Sequence, residues 1–446
     1  MLPSLRRARW LSAGLPLLAL SIALAACGGK TARMPALADS SQRPDGQADI
    51  IVPTGEPIVI GISVPLSGPD SSSGVEDRDA VITGVNRWKE RNGDTIDGHE
   101  IVVHAEDDGC TEADITVQAA ERLLRTEGLV GVIGPNCSAG AQAAIPIYRD
   151  AGIVAISGSV TRTDLTAGQG GHGFFFRTAY RNDLQGTLVG LFVGLILEAD
   201  TIWLVDDGES YGQDLADAIQ KEAEGVGAKV SRQSVKRGAV DFSDLTARIA
   251  KDNPDFVGFA GFNPEAALLY RQLRDAGYSG PYGSGDAASS QLDFVEPVGA
   301  DAAEGVVFAG CALTLPSDFA ADFAEVHGGP LQSSGFTPQY ADAVTMLLDA
   351  VAAVAQEHGD GSLTFDPGAL RDAVAEVDLS GGVSGSFAFD DNGDRVPHPG
   401  ANLEELVAEA ARAADIGVYL DLGLVPCQVQ DGKLVNLLGP GSGTYR

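Results

Sequence analysis

The sequence predicts an α/β protein of two lobes, each a doubly wound parallel sheet covered by helices on both faces. Three features carry that prediction. Short β-branched runs alternate with stretches of helical spacing from residue 57 to about residue 157, the pattern of successive βαβ units. The alternation starts afresh near residue 183, so a second sheet follows the first. Beyond about residue 310 helical segments come without matching strands, and a tail of that kind sends the chain back to finish the first lobe.

The first strand is Pro57-Ile58-Val59-Ile60-Gly61-Ile62-Ser63-Val64, apolar on both faces as a doubly covered strand requires. Residues 77–92 bring Val81, Ile82, Val85 and Trp88 round at helical spacing, and 100–104 read as the next strand. A helix over 111–126 carries Ile115, Val117, Ala120, Leu123 and Leu124. The run 129–133 is a third strand, ended by Gly134-Pro135; a helix over 138–150 and a strand over 153–157 follow. The second set comprises helix 183–198, strand 201–205, helix 211–225, strand 229–235, helix 243–253, strand 256–260 and helix 264–276. Pro264 sits near the first turn of the last of these, where proline is favoured. Helices over 318–326, 340–357 and 367–377 form the tail, and a final β region spans 385–389, 417–429 and 433–437. Residues 402–415 (NLEELVAEAARAAD) read as a further helix with no assigned role.

The N-terminus has the form of an export signal. Arg6, Arg7 and Arg9 precede an apolar run from Leu11 to Ala26, too short for a membrane span of about 20 residues. Leu24-Ala25-Ala26-Cys27-Gly28 resembles the lipobox of bacterial lipoproteins, which implies a lipidated Cys27 and removal of residues 1–26. Residues 27–56 lack periodicity and are rich in Gly, Pro, Ser and Asp, the composition of a flexible tether. The net charge of −32 becomes more negative still when the leader leaves, because it holds arginines and no acids. So acidic a body repels nucleic acid and anionic headgroups, leaving the lipid as its hold on a membrane. Four cysteines remain after Cys27, an even number that favours two disulfides in an oxidising compartment; three pairings are open. No Cys/His spacing suits zinc, no Walker loop suits ATP, and no nucleophile elbow or nucleophile–base pair points to an enzyme. No cofactor is implied. Asp390-Asp391-Asn392-Gly393-Asp394 departs from a calcium loop at Arg395 and Ala401, and Asn392-Gly393 reads as a hairpin turn.

An ordered set of loop motifs then stands out. Gly61-Ile-Ser-Val-Pro-Leu-Ser-Gly-Pro69, Asp107-Asp-Gly-Cys110 and Gly131-Val-Ile-Gly-Pro-Asn-Cys-Ser138 are followed by Ile156-Ser-Gly-Ser-Val-Thr161 and Phe176-Arg-Thr178. Asp206-Asp-Gly-Glu-Ser-Tyr-Gly212, Asp241-Phe-Ser-Asp-Leu245 and Phe389-Asp-Asp-Asn-Gly-Asp394 complete it. Together they resemble the leucine/isoleucine/valine-type substrate-binding proteins of ABC transporters over residues 57–440. The resemblance implies the type I periplasmic-binding fold: two Rossmann-like lobes joined by a three-crossover hinge, with ligand in the cleft. On that pattern lobe 1 is 57–178 with 309–415, and lobe 2 is 179–308 with 416–440.

It also implies roles. Ser138, opening a helix after the third strand, binds a ligand carboxylate, and as a serine in that place it also suits helix capping. Ser159 and Thr161 match the loop that holds the carboxylate and ammonium of an amino acid. Tyr211 matches a tyrosine that the second lobe turns into the cleft, and Phe262 stands where relatives often place another tyrosine. Asp286 is the acid for the ammonium, although an ungapped match puts Gly285 there. Asp70-Ser71-Ser72-Ser73 stands where relatives often carry an aromatic, which implies a more polar pocket. Cys110–Cys137 matches the family's disulfide and leaves Cys311 with Cys427, near the crossovers. The function so implied is an extracytoplasmic, lipid-anchored solute-binding protein that captures an amino acid or amide-like solute by hinge closure and docks on an ABC permease. A sensory module of the same fold, reporting to a signalling partner, is the other reading.

Overall fold

The computed structural model describes residues 47–166, 173–311, 315–403, 405–406 and 422–437. The first sheet has six strands in the order Thr95–Ile96, His99–Asp107, Ile58–Val64, Leu129–Ile133, Val154–Ser157 and Phe175–Arg177. All pairings are parallel except the small hairpin at its first edge. Ile58–Val64 is buried throughout, and its alternation divides it between two layers. Ile58, Ile60, Ile62 and Val64 pack with the helices Ser71–Asn92 and Thr337–Val354, whereas Val59 packs with Ala113–Leu124 and Ser138–Ala151. Successive strand side chains face opposite ways, so two covering layers need an unbroken apolar run.

The second sheet has seven strands. Its order is Lys433–Asn436, Cys427–Gln430, Val307–Phe308, Tyr282–Ser284, Phe256–Ala260, Thr201–Asp206 and Lys229–Ser234. The five strands from 201 to 308 are parallel, and the last two add antiparallel at the far edge. The chain passes between the sheets three times. It leaves the first after Phe175–Arg177, returns after Val307–Phe308 to the helix Ser317–His327, and leaves again between Leu424 and Cys427. Leu424 packs in the first core and Cys427 in the second. This is the architecture of two Rossmann-like lobes with a three-crossover hinge.

Two disulfides are formed, Cys110–Cys137 and Cys311–Cys427. The first ties the loops after the second and third strands. The second joins neighbouring chain segments at the second and third crossovers, where Phe308 pairs with Cys427.

Several elements differ from the sequence expectation. The helix expected from 77 begins at Ser71, because Ser72 and Ser73 face the inter-lobe cavity and so carry no apolar period. Ile50–Val52, within the expected tether, is a strand paired antiparallel with Leu363–Phe365, and Val52 is fully buried. The folded body therefore includes residues before Pro57. The strand expected over 385–389 forms, and two strands not foreseen, Leu379–Gly382 and Arg395–Val396, pair with it in a small antiparallel sheet. The helix from Asn182 ends at Leu191 and continues as a wider turn over Phe192–Ile196. Pro264 precedes its helix, Glu265–Asp275, instead of entering it. The Cys27 anchor and nearly all of the 402–415 helix lie outside the described residues. Among the described residues no helix is long and apolar enough to cross a membrane.

The hairpin around Asn392-Gly393 supplies the hinge with a buried acid. Asp390 accepts from the backbone N–H of Asn392 and Asp394, closing the turn. Asp394, 1% exposed, meets Arg177 Nε at 2.5 Å, and Arg177 is itself wholly buried. Arg181 reaches the other oxygen at 3.4 Å. These two guanidinium groups hold the Asp394 carboxyl below its usual range against the opposing effect of burial. Arg177 also donates to the carbonyls of Val160, Arg162 and Thr163, clamping the loop after the fourth strand. Removing one member of such a pair strands a buried charge, at a cost of about 3–5 kcal/mol. Asp394→Ala is expected to lose stability of that order in chemical denaturation, with the same variant of exposed Asp391 near neutral.

Candidate ligand-binding site

Between the lobes lies a cavity of about 80 Å³. All six predicted site residues line it. Ser138 is the first residue of the helix Ser138–Ala151 and is 2% exposed. Cys137 occupies the capping position and Ser138 makes no cap bond, so the capping expectation is corrected; its Oγ accepts only a long bond from Arg162 N, 3.4 Å. Its hydroxyl and the helix's unpaired N–H groups sit where an anion is favoured. Ser159 Oγ lies 2.6 Å from the carbonyl of Asn136 and 2.7 Å from Tyr340 Oη. Thr161 is buried, and its carbonyl accepts from Asn182 N, so the loop is tied to the first crossover.

The second lobe supplies the opposite wall. Tyr211 and Phe262 pack with ring centroids 5.1 Å apart. The Arg237 guanidinium lies 4.7 Å from the Phe262 centroid on the same ring, where a cation is attracted to the π face. Asp286, not Gly285, presents the carboxylate. A side chain at Gly285 would put its Cβ 2.4 Å from Tyr211 Oη, so that position must stay bare for the tyrosine to approach. Gly310 is bare for the same reason, its absent Cβ lying 2.1 Å from Tyr180 Oη.

The surroundings of Asp286 depart from the expectation of an acid facing an ammonium. Oδ1 accepts from Tyr211 Oη at 2.5 Å and from Ala287 N at 2.7 Å, and Oδ2 from Gln185 Nε2 at 2.8 Å. Tyr180 hydrogen-bonds to it as well. A carboxylate offers about four acceptor positions, so protein donors fill Asp286 and leave it holding Tyr211 in place.

Several residues that sequence reading missed complete the walls. Asp77 is buried and accepts from Ser334 Oγ and Asn136 Nδ2. It was read only as the start of a helix, and its signal, an acid beside a polar helix entry, is weak. Asn136 also bonds Tyr340 Oη, linking Asp77 to Ser159. Asp70 forms a two-point pair with Arg237 across the lobes, at 2.6 and 2.8 Å. Other polar bridges run from lobe to lobe: Ser72 to Asp293, Ser210 to Gln142, and Thr163 N to Asp214. Among the described residues no His, Cys, Asp and Glu side chains group as metal ligands.

Burial pushes several carboxyls up, four of them far: Asp77 to about 8, Asp207 to about 7, and Asp108 and Asp286 to about 6. The folded protein thus keeps protons that the unfolded chain has lost near pH 4. Where the folded state binds more protons, stability falls as pH rises. Asp394, Glu106 and Asp107, whose carboxyls are held low, act oppositely and only below about pH 4. The melting temperature is expected to decline from pH 5 to pH 8, and Asp77→Asn to flatten the part of that decline above pH 6.

The comparisons with known proteins agree with the two-lobed fold. The profile of the family described as periplasmic binding protein matches residues 57–404. The leucine-, isoleucine-, valine-, threonine- and alanine-binding protein of Pseudomonas aeruginosa is 29% identical over 270 residues, 59% of this chain and 68% of that protein. The Leu/Ile/Val-binding protein of Escherichia coli is 30% identical over 242 residues, 53% of this chain and 64% of the other. A leucine-binding protein from Thermotoga maritima superposes with a TM-score of 0.68 at 22% identity, over 85% of this chain and 97% of that one. A solute-binding protein of R. palustris in complex with benzoate superposes at 0.66 and 19% identity, over 85% and 95% of the two chains. At such identities the structural likeness speaks for the fold alone. With its two-lobed topology and a family match over most of its length, the chain belongs to the periplasmic binding protein family and is a solute-binding protein of the type I fold.

Proposed function

We propose that this protein captures an amino acid or amide-like solute outside the cytoplasm and delivers it to the permease of an ABC importer. The observation that carries the proposal is the convergence of Ser138, Ser159, Thr161, Tyr211, Phe262 and Asp286 on one inter-lobe cavity. The first three supply hydroxyl and backbone groups beside a helix N-terminus, which suits a carboxylate or amide oxygen. Tyr211 and Phe262 supply the aromatic wall that closes from the other lobe. The cavity of about 80 Å³ suits a small solute. Closure is the conformational step: ligand contacts made only with the lobes together shift the population to the closed form. Curated relatives named for leucine, isoleucine and valine binding support the amino-acid class. Lipidation at Cys27, with the preceding residues acting as an export signal, is the proposed attachment to the membrane.

A thermal-shift screen against amino acids, amides, urea and small carboxylates tests the reading. Ligand at 100 times its dissociation constant should stabilise the protein by about 2.7 kcal/mol. Ser138→Ala is expected to weaken the response at least tenfold in ligand concentration while leaving the ligand-free melting temperature within a degree or two. Absence of any response across the panel overturns amino-acid or amide capture.

A further inference from the structure

Resting on that reading, we infer that the ligand is a small ammonium- or guanidinium-bearing solute whose cationic nitrogen is received by Asp77 in the first lobe, not by Asp286 in the second. The charge of the cavity points first to a cation. Asp70, Asp77, Asp286 and Asp293 all line it, and among the described residues lining it there is no lysine, arginine or histidine. Asp70 is neutralised from outside by Arg237, Asp286 is filled by four protein donors, and Asp293, half-buried and open to water, accepts from the hydroxyls of Ser72 and Ser290.

Asp77 is different. Each of its oxygens accepts one protein hydrogen bond, from Ser334 Oγ and from Asn136 Nδ2, so about half of its acceptor capacity remains. Both donors are neutral. The charged groups around it are acids: Glu76 on its own helix and Asp108 behind the Cys110–Cys137 disulfide. Glu76 is consumed by the backbone N–H groups of Gln332, Ser333 and Ser334, and Asp108 by those of Cys110 and Asn136 with Ser63 Oγ. His327 faces Glu76 and Asp79, at 4.0 and 2.8 Å. A buried carboxylate without a cation is costly, so burial keeps Asp77 protonated at neutral pH, and a cation entering the cavity it lines can take the proton's place.

A second observation is independent of the acids. Asn263, on the opposite wall and 8% exposed, uses its Nδ2 on the carbonyl of Ala288, while its Oδ1 has no hydrogen-bond partner among the described residues. Ser333 Oγ is likewise unpartnered at the cavity wall. The first is an acceptor and the second a donor or acceptor, so N–H groups of a ligand in the cavity can satisfy both. The chain Asp77–Asn136–Tyr340–Ser159 places this end close to the carboxylate end, which suits a short zwitterion or diamino acid better than a long aliphatic one.

Isothermal calorimetry on the whole chain tests this with alanine, β-alanine, 4-aminobutyrate and 2,4-diaminobutyrate, each against its N-acetyl derivative, together with propionamide and leucine. The expected result is binding of an unacetylated amine at least tenfold tighter than its neutral derivative. Asp77→Asn should reduce that preference to threefold or less, and Asp286→Asn should retain it. An Asp77→Asn protein that keeps the preference overturns the inference. So does a wild type that binds propionamide or N-acetyl compounds as tightly as amines, an outcome that leaves solute capture standing. Failure of every compound to bind overturns both. Should Asp77→Asn not fold, heats measured at pH 7 in two buffers of different ionisation enthalpy decide. Release of a proton on binding the amine is expected, and no release overturns the assignment.

Discussion

The Arg177–Asp394 pair is the interaction on which the rest of the structure depends. It is fully buried at the point where the chain first leaves the first lobe, and it joins three parts distant in sequence. The acid comes from a hairpin in the returning tail. The guanidinium stands at the end of the sheet's last strand, and its remaining N–H groups grip the carbonyls of the loop that carries Ser159 and Thr161. Thr166 completes the cluster by donating to Asp394 at 2.8 Å. A planar fork with five donors is suited to this task, because one side chain can satisfy an acid and several carbonyls at once. The geometry of the loop that carries Ser159 and Thr161 is therefore held from behind by the hinge, together with Ser157 Oγ, which accepts from Ser159 N and Val160 N.

From that anchored loop the site is assembled by contributions of opposite kind. The first lobe gives a helix N-terminus, hydroxyls and Asp77, groups able to hold both ends of a dipolar solute. The second gives aromatic surface and an acid spent on orienting Tyr211. Polar bridges run between the lobes, led by Asp70–Arg237, whose side chains are only 13% and 12% exposed, so that it acts as a largely buried pair.

The sheets were legible because their cause is local. Ile58–Val64, Leu129–Ile133 and Phe256–Ala260 are apolar runs bounded by turn residues, and their observed limits fall within a residue of those read from sequence. The entry of the first helix was not, because Ser72 and Ser73 face a polar cavity and carry no hydrophobic period. Ile50–Val52 was hidden for a related reason. Three residues in a Gly- and Pro-rich stretch are a strand only because Leu363–Phe365 lies beside them. The six site residues could be named from loop motifs, since loops at the carboxyl ends of parallel strands converge. What each one does could not, because the role of an acid depends on how many donors reach it.

The sequence by itself determined the alternation of strand and helix, the division into two sheets and the loops that meet at the cleft. These follow from hydrophobic period and turn chemistry, which act over a few residues. Only the tertiary structure decided that Asp286 is occupied by Tyr211, Tyr180, Gln185 and Ala287 while Asp77 keeps acceptor positions to spare. The two aspartates are alike in sequence. Their partners come from segments up to 257 residues away, as Ser334 does for Asp77, and hydrogen-bond saturation is a property of the neighbours that folding brings together, not of the residue that accepts them.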